Sequence, residues 1–244
     1  MPLPWKTAWI TGASSGIGRA LALSLARRGV TVAASARSRD ALEALAAEAG
    51  AGSASARILP TPLDVTDRAA VKAAAEAAIR VFRGPPDLVV LNAGTYLPIA
   101  ADAFDAARFR TQVEVNLMGT VHMLEALLPA CLAARRGHIA IVSSVAGYRG
   151  LPTSAAYGAT KAALINLAES LKYDCDRAGV KLQLVSPGFV KTPLTDKNDF
   201  AMPHLMPVEK AVARMIAGLQ SNRFEITFPR RFTWQLKLLR LLPY

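Results

Sequence analysis

The sequence predicts an α/β fold: a doubly wound parallel sheet of about seven strands with helices covering both faces. Two observations predict it. Short apolar runs alternate with longer helical stretches from one end of the chain to the other. Six or seven such apolar strands alternating with helices argue for a parallel sheet covered on both faces. No Pro/Gly/Ser-rich linker divides the 244 residues. Residues 1–229 are therefore read as one domain, with residues 230–244 as a basic amphipathic C-terminal segment.

Each element follows from local signals. Residues 6–11 read as the first strand, 17–28 as a helix stopped by Gly29, and 30–36 as the second strand. A helix spans 39–49, with Asp40 early and Gly50 just past its end, and a loop follows at 51–55. The third strand, 58–63, is interrupted by Pro60 and Pro62, which lack the N–H that a strand ladder uses. An alanine-rich helix at 67–82 ends at Gly84-Pro85-Pro86, before a short buried strand at 88–91. The second half repeats the rhythm. A long helix over 106–134 carries Pro129 near its end and precedes a strand at 138–143. A helix at 155–178, stopped by Gly179, leads to a strand at 181–185. A loop from 187 to 207 then reaches a helix at 208–220 and a last strand at 224–228.

Composition bounds what such a chain does. Hydrophobic residues make up 52% and charged residues 19%, which supplies a core and excludes a mainly disordered chain. Two cysteines and three histidines provide neither a disulfide framework nor a metal-ligand cluster, and no metal is expected. Cys131 and Cys175 are expected reduced on helices, and His122, His138 and His204 as structural residues. No uninterrupted apolar run reaches the ~18 residues of a membrane span. Residues 1–6 carry two prolines and one charge, unlike a secretory leader, so the expected compartment is the cytoplasm. The net charge of +11 suits nucleic acid, an anionic membrane or a phosphate-rich ligand. Basic runs interleaved with aromatics are missing, and nucleic acid is not an expected partner.

Thr11-Gly12-Ala13-Ser14-Ser15-Gly16-Ile17-Gly18 lies between the first strand and the first helix. Gly12 permits the tight turn, Gly16 lets the backbone approach a phosphate, and Gly18 lets the helix pack on the strand. The helix start offers free N–H groups and a positive dipole end to a pyrophosphate. The placement of the turn in an alternating pattern makes it a dinucleotide site, with Gly12, Ser14, Ser15, Gly16, Ile17 and Gly18 as candidates. The end of the second strand reads Ala34-Ser35-Ala36-Arg37-Ser38-Arg39, with no carboxylate until Asp40. A carboxylate there would bind a ribose 2′-hydroxyl, whereas Arg37 suits a 2′-phosphate. NADP(H) is the expected cofactor, preferred over NAD(H).

Further motifs follow in order: Asp64-Val65, Leu91-Asn92-Ala93-Gly94, Asn116, Ser143-Ser144, Tyr157-Gly158-Ala159-Thr160-Lys161 and Pro187-Gly188. With the glycine turn they make the chain resemble the short-chain dehydrogenase/reductase family over almost its whole length, from Thr11 to about Phe228. The resemblance implies a single Rossmann domain and hydride transfer between a nicotinamide and a carbonyl or alcohol substrate. Tyr157 and Lys161, four apart on a predicted helix, share a face. An ammonium near a phenol favours the phenolate, so the pair is expected to tune Tyr157 toward neutrality for proton transfer. Ser144, thirteen residues before Tyr157, is singled out over Ser143 by family spacing, to hold the substrate oxygen.

Other roles rest on the resemblance alone. Asn116 would help to hold a water relay to Lys161, which would also bond the nicotinamide ribose. Asp64 and Val65 would lie near adenine, and Asn92, with Ala93 and Gly94, near the adjoining ribose and the central strands. Pro187, Gly188, the Val190 backbone and the Thr192 hydroxyl would border the nicotinamide. Leu91 departs from the family's Asn-Asn-Ala-Gly pattern, which keeps its second asparagine here as Asn92. Family members commonly form homodimers or homotetramers through helices matching 106–134 and 155–178.

Substrate identity is weakly encoded. Leu194, Phe200, Met202, Leu205 and Met206 would form an apolar lid over 193–207, and Tyr96 and Leu97 another wall, suiting a hydrophobic ketone or aldehyde. A 3-oxoacyl-carrier-protein reductase fits the positive charge. The rival of another class is a catalytically silent NADP-binding or membrane-associated module. A methyltransferase on a similar sheet leaves Tyr157 and Lys161 unexplained. The tail alternates Phe232, Trp234, Leu236, Leu238, Leu239, Leu241 and Leu242 with Arg230, Arg231, Lys237 and Arg240. It suits peripheral contact with an anionic membrane, packing on its own domain, or a dimer interface.

Overall fold

The computed structural model describes residues 3–52, 56–198 and 201–240. Residues 53–55 of the expected loop, Phe200 of the expected lid, and Leu241 and Leu242 of the tail lie outside the described residues. The strands are β1 (Thr7–Thr11), β2 (Thr31–Ser35), β3 (Arg57–Pro60), β4 (Leu88–Leu91), β5 (His138–Val142), β6 (Lys181–Pro187) and β7 (Glu225–Phe228). They form one parallel sheet in the order β3-β2-β1-β4-β5-β6-β7. The order reverses between β1 and β4, and a crevice opens at the carboxyl ends of such a pair, where α/β sheets bind ligands.

Side-chain alternation sends neighbouring residues of one strand to opposite faces. Ala8 and Ile10 of β1 join Val32 and Val90 in one core, closed by α1 (Gly16–Ala26), α2 (Arg39–Gly52) and α7 (Val208–Leu219). Trp9, between them, joins Ile139 and Leu182 in the other. That face is closed by α3 (Arg68–Phe82), α5 (Gly119–Ala134) and α6 (Ala155–Ala178). Cys131 and Cys175 are buried free thiols on α5 and α6.

The expected long helix over 106–134 is interrupted. It consists of α4 (Ala106–Gln112), a π-helical turn at Val113–Met118, and α5. The wide turn carries Asn116 into the interior, where it is fully buried and its side chain bonds Thr95 and Thr160. Taken through the turn, the stretch is 29 residues with a mean hydropathy of 1.5 in its most apolar window. By those two measures it is long and apolar enough to cross a membrane, although Asn116, His122 and Glu125 interrupt it. In this fold its Met123, Leu124, Leu127 and Cys131 are buried in the core that α5 closes.

Smaller differences have local causes. α2 continues through Gly50 to Gly52, because one helical glycine costs only about 1 kcal/mol against alanine. β3 stops at Pro60, three residues earlier than expected, ahead of Pro62. β6 runs on to Pro187, since Ser186 and Pro187 still pair with Thr227 and Phe228. The tail forms α8 (Arg230–Arg240), with Phe232, Thr233 and Leu236 buried against the domain. The Thr233 hydroxyl donates to Thr227 Oγ1 at 3.1 Å. Packing on its own domain thus accounts for one face of α8.

Candidate active site

The carboxyl ends of β1 and β4 are clamped together. Thr11 Oγ1 accepts from the amides of Asn92 and Ala93 at 3.0 and 3.1 Å. The Asn92 carboxamide donates to the carbonyls of Thr11 (3.0 Å) and Gly12 (3.2 Å). Asn92 is therefore a brace for the glycine turn. Gly12 and Gly16 have φ of 68° and 54°, a region that favours glycine. A Cβ on Gly12 would sit 2.8 Å from Ala93 Cα, and one on Gly18 only 2.3 Å from the Gly12 carbonyl oxygen. Ser15 precedes α1 without a side-chain cap, which leaves the first helical amides for an incoming anion.

One cavity of about 400 Å³, of the size usual for small-molecule sites, runs from this turn across the crevice. Gly12, Ser14, Ser15, Gly16 and Ile17 border one end. Gly18 lies behind the wall, one step into the helix. Arg37, Asp64 and Val65 border the same end, and Ala93 and Gly94 the middle. Asp64 accepts from the Thr66 amide and hydroxyl at 2.9 and 2.8 Å. Those bonds and the Arg37 charge outweigh burial and hold its carboxyl below the usual carboxylate range.

At the other end stand Ser144, Tyr157 and Lys161, facing Pro187, Gly188, Val190 and Thr192. The two serines after β5 divide their work as strand geometry requires. Ser143 is buried and donates to the Lys161 carbonyl at 2.7 Å. Ser144 is half-buried at the cavity, and its Oγ accepts the Ala146 amide at 3.1 Å to start a 3₁₀ turn at Val145–Gly147. That turn fits tightly on α6: a Cβ on Gly147 would meet the Lys161 carbonyl carbon at 2.7 Å.

Lys161 is 3% exposed; its Nζ donates to the Val142 carbonyl at 2.9 Å and lies 5.5 Å from the Tyr157 ring centroid. Burial lowers the ammonium to about 8. Burial also pushes the Tyr157 phenol up to about 12, against a hydrogen bond from Ser144 that lowers it and with the help of the nearby Tyr96, which raises it. Desolvation therefore opposes the expected tuning of Tyr157 toward neutrality. The phenol keeps its proton across the neutral range, which is the form a general acid uses. Asn116 sits behind the wall, with Oδ1 accepting the Thr95 amide at 2.7 Å and Nδ2 donating to Thr95 O and Thr160 Oγ1. It joins the loop after β4 to α6. The Thr120 hydroxyl takes its main-chain carbonyl at 3.1 Å.

Of the expected walls, Tyr96 packs edge-on against Tyr157 with centroids 5.4 Å apart, and its hydroxyl meets Thr153 Oγ1 at 2.8 Å. Leu97 does not line the cavity; its main chain bonds the Gln112 carboxamide. From the lid, Leu194 reaches the cavity and Lys197 ties the loop to the Tyr96 carbonyl at 2.9 Å. Met206 instead packs into the sheet core, Leu205 is exposed, and Met202 meets the Asn198 amide through its sulfur. Leu151, Ser154, Thr111 and Asn198 also line the cavity and escaped the sequence reading, since they come from separate segments with no shared motif.

Fold and crevice together define a class, the NAD(P)-dependent oxidoreductases built on a single parallel sheet. Residues 6–202 match the family model described as short chain dehydrogenase, and the chain belongs to that family. It is 41% identical over 241 residues to an uncharacterized oxidoreductase of Myxococcus xanthus, covering 99% of this chain and 94% of the relative. Among solved structures, a short-chain dehydrogenase/reductase of Burkholderia phymatum in complex with NAD superposes with a TM-score of 0.86 at 26% identity, over 98% of this chain and 94% of that one. A short-chain dehydrogenase of Sphingobium yanoikuyae in complex with NADPH gives 0.83 at 25%, over 97% and 96%. A nicotinamide dinucleotide fits the residues present: the glycine turn lines one end of the cavity, and the uncapped first amides of α1 would be open to its phosphates.

Proposed function

We propose that the protein is an NADP-dependent reductase of a hydrophobic ketone or aldehyde, with oxidation of the alcohol as the reverse reaction. The observation that carries this reading is the joint approach of Ser144, Tyr157 and Lys161 to the cavity that begins at the glycine turn. The bound cofactor supplies the hydride. Tyr157 donates its phenolic proton to the carbonyl oxygen, and Ser144 holds that oxygen by a hydrogen bond. Lys161 bonds the nicotinamide ribose and sets a positive charge beneath the phenol ring, while Asn116 holds the loop and α6 in register. Arg37 pairs with the 2′-phosphate, since no carboxylate ends β2. Leu194 and Tyr96 make the substrate wall apolar.

The test is nicotinamide oxidation by absorbance, with NADPH and NADH, against ketones, aldehydes and 3-oxoacyl thioesters. Turnover with NADPH that is lost in Tyr157→Phe supports the reading. A thioester-only result redirects it to a carrier-protein reductase, and cofactor binding with no turnover favours the silent module. In solution the chain is expected as a homodimer or homotetramer through α5 and α6, which light scattering measures.

A second reading concerns the outer face of α8. Trp234, Leu238 and Leu239 are 68%, 64% and 45% exposed beside Arg231, on a segment with no acidic residue. We propose that this face rests on an anionic bilayer. Cosedimentation with phosphatidylglycerol vesicles, lost in Trp234→Ser and weaker with phosphatidylcholine, supports it; equal sedimentation of variant and wild type overturns it.

A further inference from the structure

Glu225 opens β7 at the edge of the sheet, and nothing in the proposed chemistry uses it. Its carboxylate nevertheless gathers three donors from three separate segments. Oε1 accepts from the Tyr148 hydroxyl and, at 2.8 Å, from Ser186 Oγ. Oε2 accepts from the Lys237 ammonium of α8. Two of the donors sit next to a part of the site. Tyr148, 7% exposed, directly follows the 3₁₀ turn that Ser144 starts. Ser186, fully buried, immediately precedes Pro187 and Gly188. Lys237 lies 5.4 Å from the Tyr148 ring centroid, so one cation contacts both the carboxylate and the aromatic ring.

Apolar contacts run parallel to these bonds. Phe232 of α8 lies 5.7 Å, ring to ring, from Phe189 in the loop after Gly188. A Cβ on Gly188 would meet that same Phe232 ring at 3.1 Å. The Gly188 amide donates to the Phe228 carbonyl at 2.8 Å. The Arg149 guanidinium, next to Tyr148, donates to the Leu239 carbonyl. The C-terminal helix is thereby fastened both to the turn that holds Ser144 and to the loop that faces it. A charge-assisted network of this kind fixes geometry more firmly than apolar contact alone.

We propose that Glu225 is a positioning residue, which with Tyr148, Ser186 and Lys237 sets the Ser144 turn against the Pro187–Gly188 loop and makes α8 part of the working site. The inference rests on the reductase reading for its consequence in turnover, but the coupling itself is measurable without it. Small displacements of reacting groups cost rate far more than they cost binding.

The experiment compares wild type, Glu225→Gln, Tyr148→Phe and Lys237→Met, with Lys237→Arg as the rescue. Hydrogen exchange is followed at the Gly147 and Tyr148 amides, which donate to the Ser144 and Val145 carbonyls at 3.0 Å. The expected result is exchange faster by about tenfold in this turn, with β1 and β4 unchanged. In the same variants kcat falls about tenfold or more while KM for NADPH stays within about twofold, and Lys237→Arg restores both readouts. Unchanged exchange in the turn overturns the proposal. So does acceleration spread equally over the sheet, because Glu225 would then support only global stability. If wild type reduces no carbonyl, the reductase reading fails by itself, and the exchange pattern still decides the coupling.

Discussion

Lys161 Nζ lies over the Tyr157 ring, 5.5 Å from its centroid, while donating to the Val142 carbonyl at 2.9 Å. The ammonium is thus anchored to the end of β5, the strand that delivers Ser144, and Ser144, Tyr157 and Lys161 share one rigid support. Tyr157→Phe removes the proposed proton donor and leaves the ring packing against Tyr96. Turnover is expected to fall by about 10²- to 10⁴-fold with NADPH affinity nearly unchanged. Steady-state kinetics with a parallel binding titration checks this, and retained turnover would overturn the proton-donor role.

The Arg37 guanidinium and the Asp64 carboxylate border the same end of the cavity. Arg37→Ala is expected to weaken NADPH binding by about 10- to 100-fold, the loss of a charge-assisted contact of about 1.5–3 kcal/mol. NADH binding should change by no more than about twofold. Equal losses for the two cofactors, measured by fluorescence titration, would remove the 2′-phosphate assignment.

His138 is 4% exposed, lies tilted against Trp5 with ring centroids 5.6 Å apart, and bonds Gln183 Oε1 at 2.8 Å. Burial, aided by the nearby Lys181 cation, lowers its pKa from 6.5 to about 3. As pH falls below 6.5 the unfolded chain takes up a proton that the folded chain refuses, so this contribution to stability is lost as pH falls toward 3. His138→Gln removes the titration. Its unfolding free energy should decline less steeply with acidification in that window, by up to about 1.4 kcal/mol per pH unit. Parallel denaturation curves would show that His138 is not held neutral.

Two glycine-to-alanine changes should have opposite signs. At Gly18 a Cβ would meet the Gly12 carbonyl oxygen at 2.3 Å, so Gly18→Ala should destabilise by about 1–3 kcal/mol and weaken cofactor binding. At Gly50, inside α2, a Cβ meets nothing within 4 Å, and Gly50→Ala should stabilise by about 0.5–1 kcal/mol. Urea denaturation of both variants checks the pair. A stable Gly18→Ala protein with normal cofactor affinity would mean that the turn yields more easily than its contacts imply.

Much of the architecture was legible because its causes are local. Apolar runs, proline positions and glycine stops mark strands and helices within a few residues; β4 and α6 fall where periodicity predicts them. The pairing of Tyr157 with Lys161 was visible because four residues are one helical turn. The π-helical turn around Asn116 was not visible, since its partners Thr95 and Thr160 lie 21 and 44 residues away. The rise of the Tyr157 phenol was hidden for a similar reason. Neighbour spacing suggested a charge effect, whereas burial by other segments set the outcome.

By itself, then, the sequence determined the α/β alternation, the glycine turn between β1 and α1, and the residue types available for proton transfer. Only the tertiary structure decided which of them meet. Lys197 reaches the Tyr96 carbonyl across 101 positions, and Tyr148 reaches Glu225 across 77. Such contacts exist because strand order and helix packing bring distant segments together, and the desolvation that tunes a side chain depends on everything folded around it.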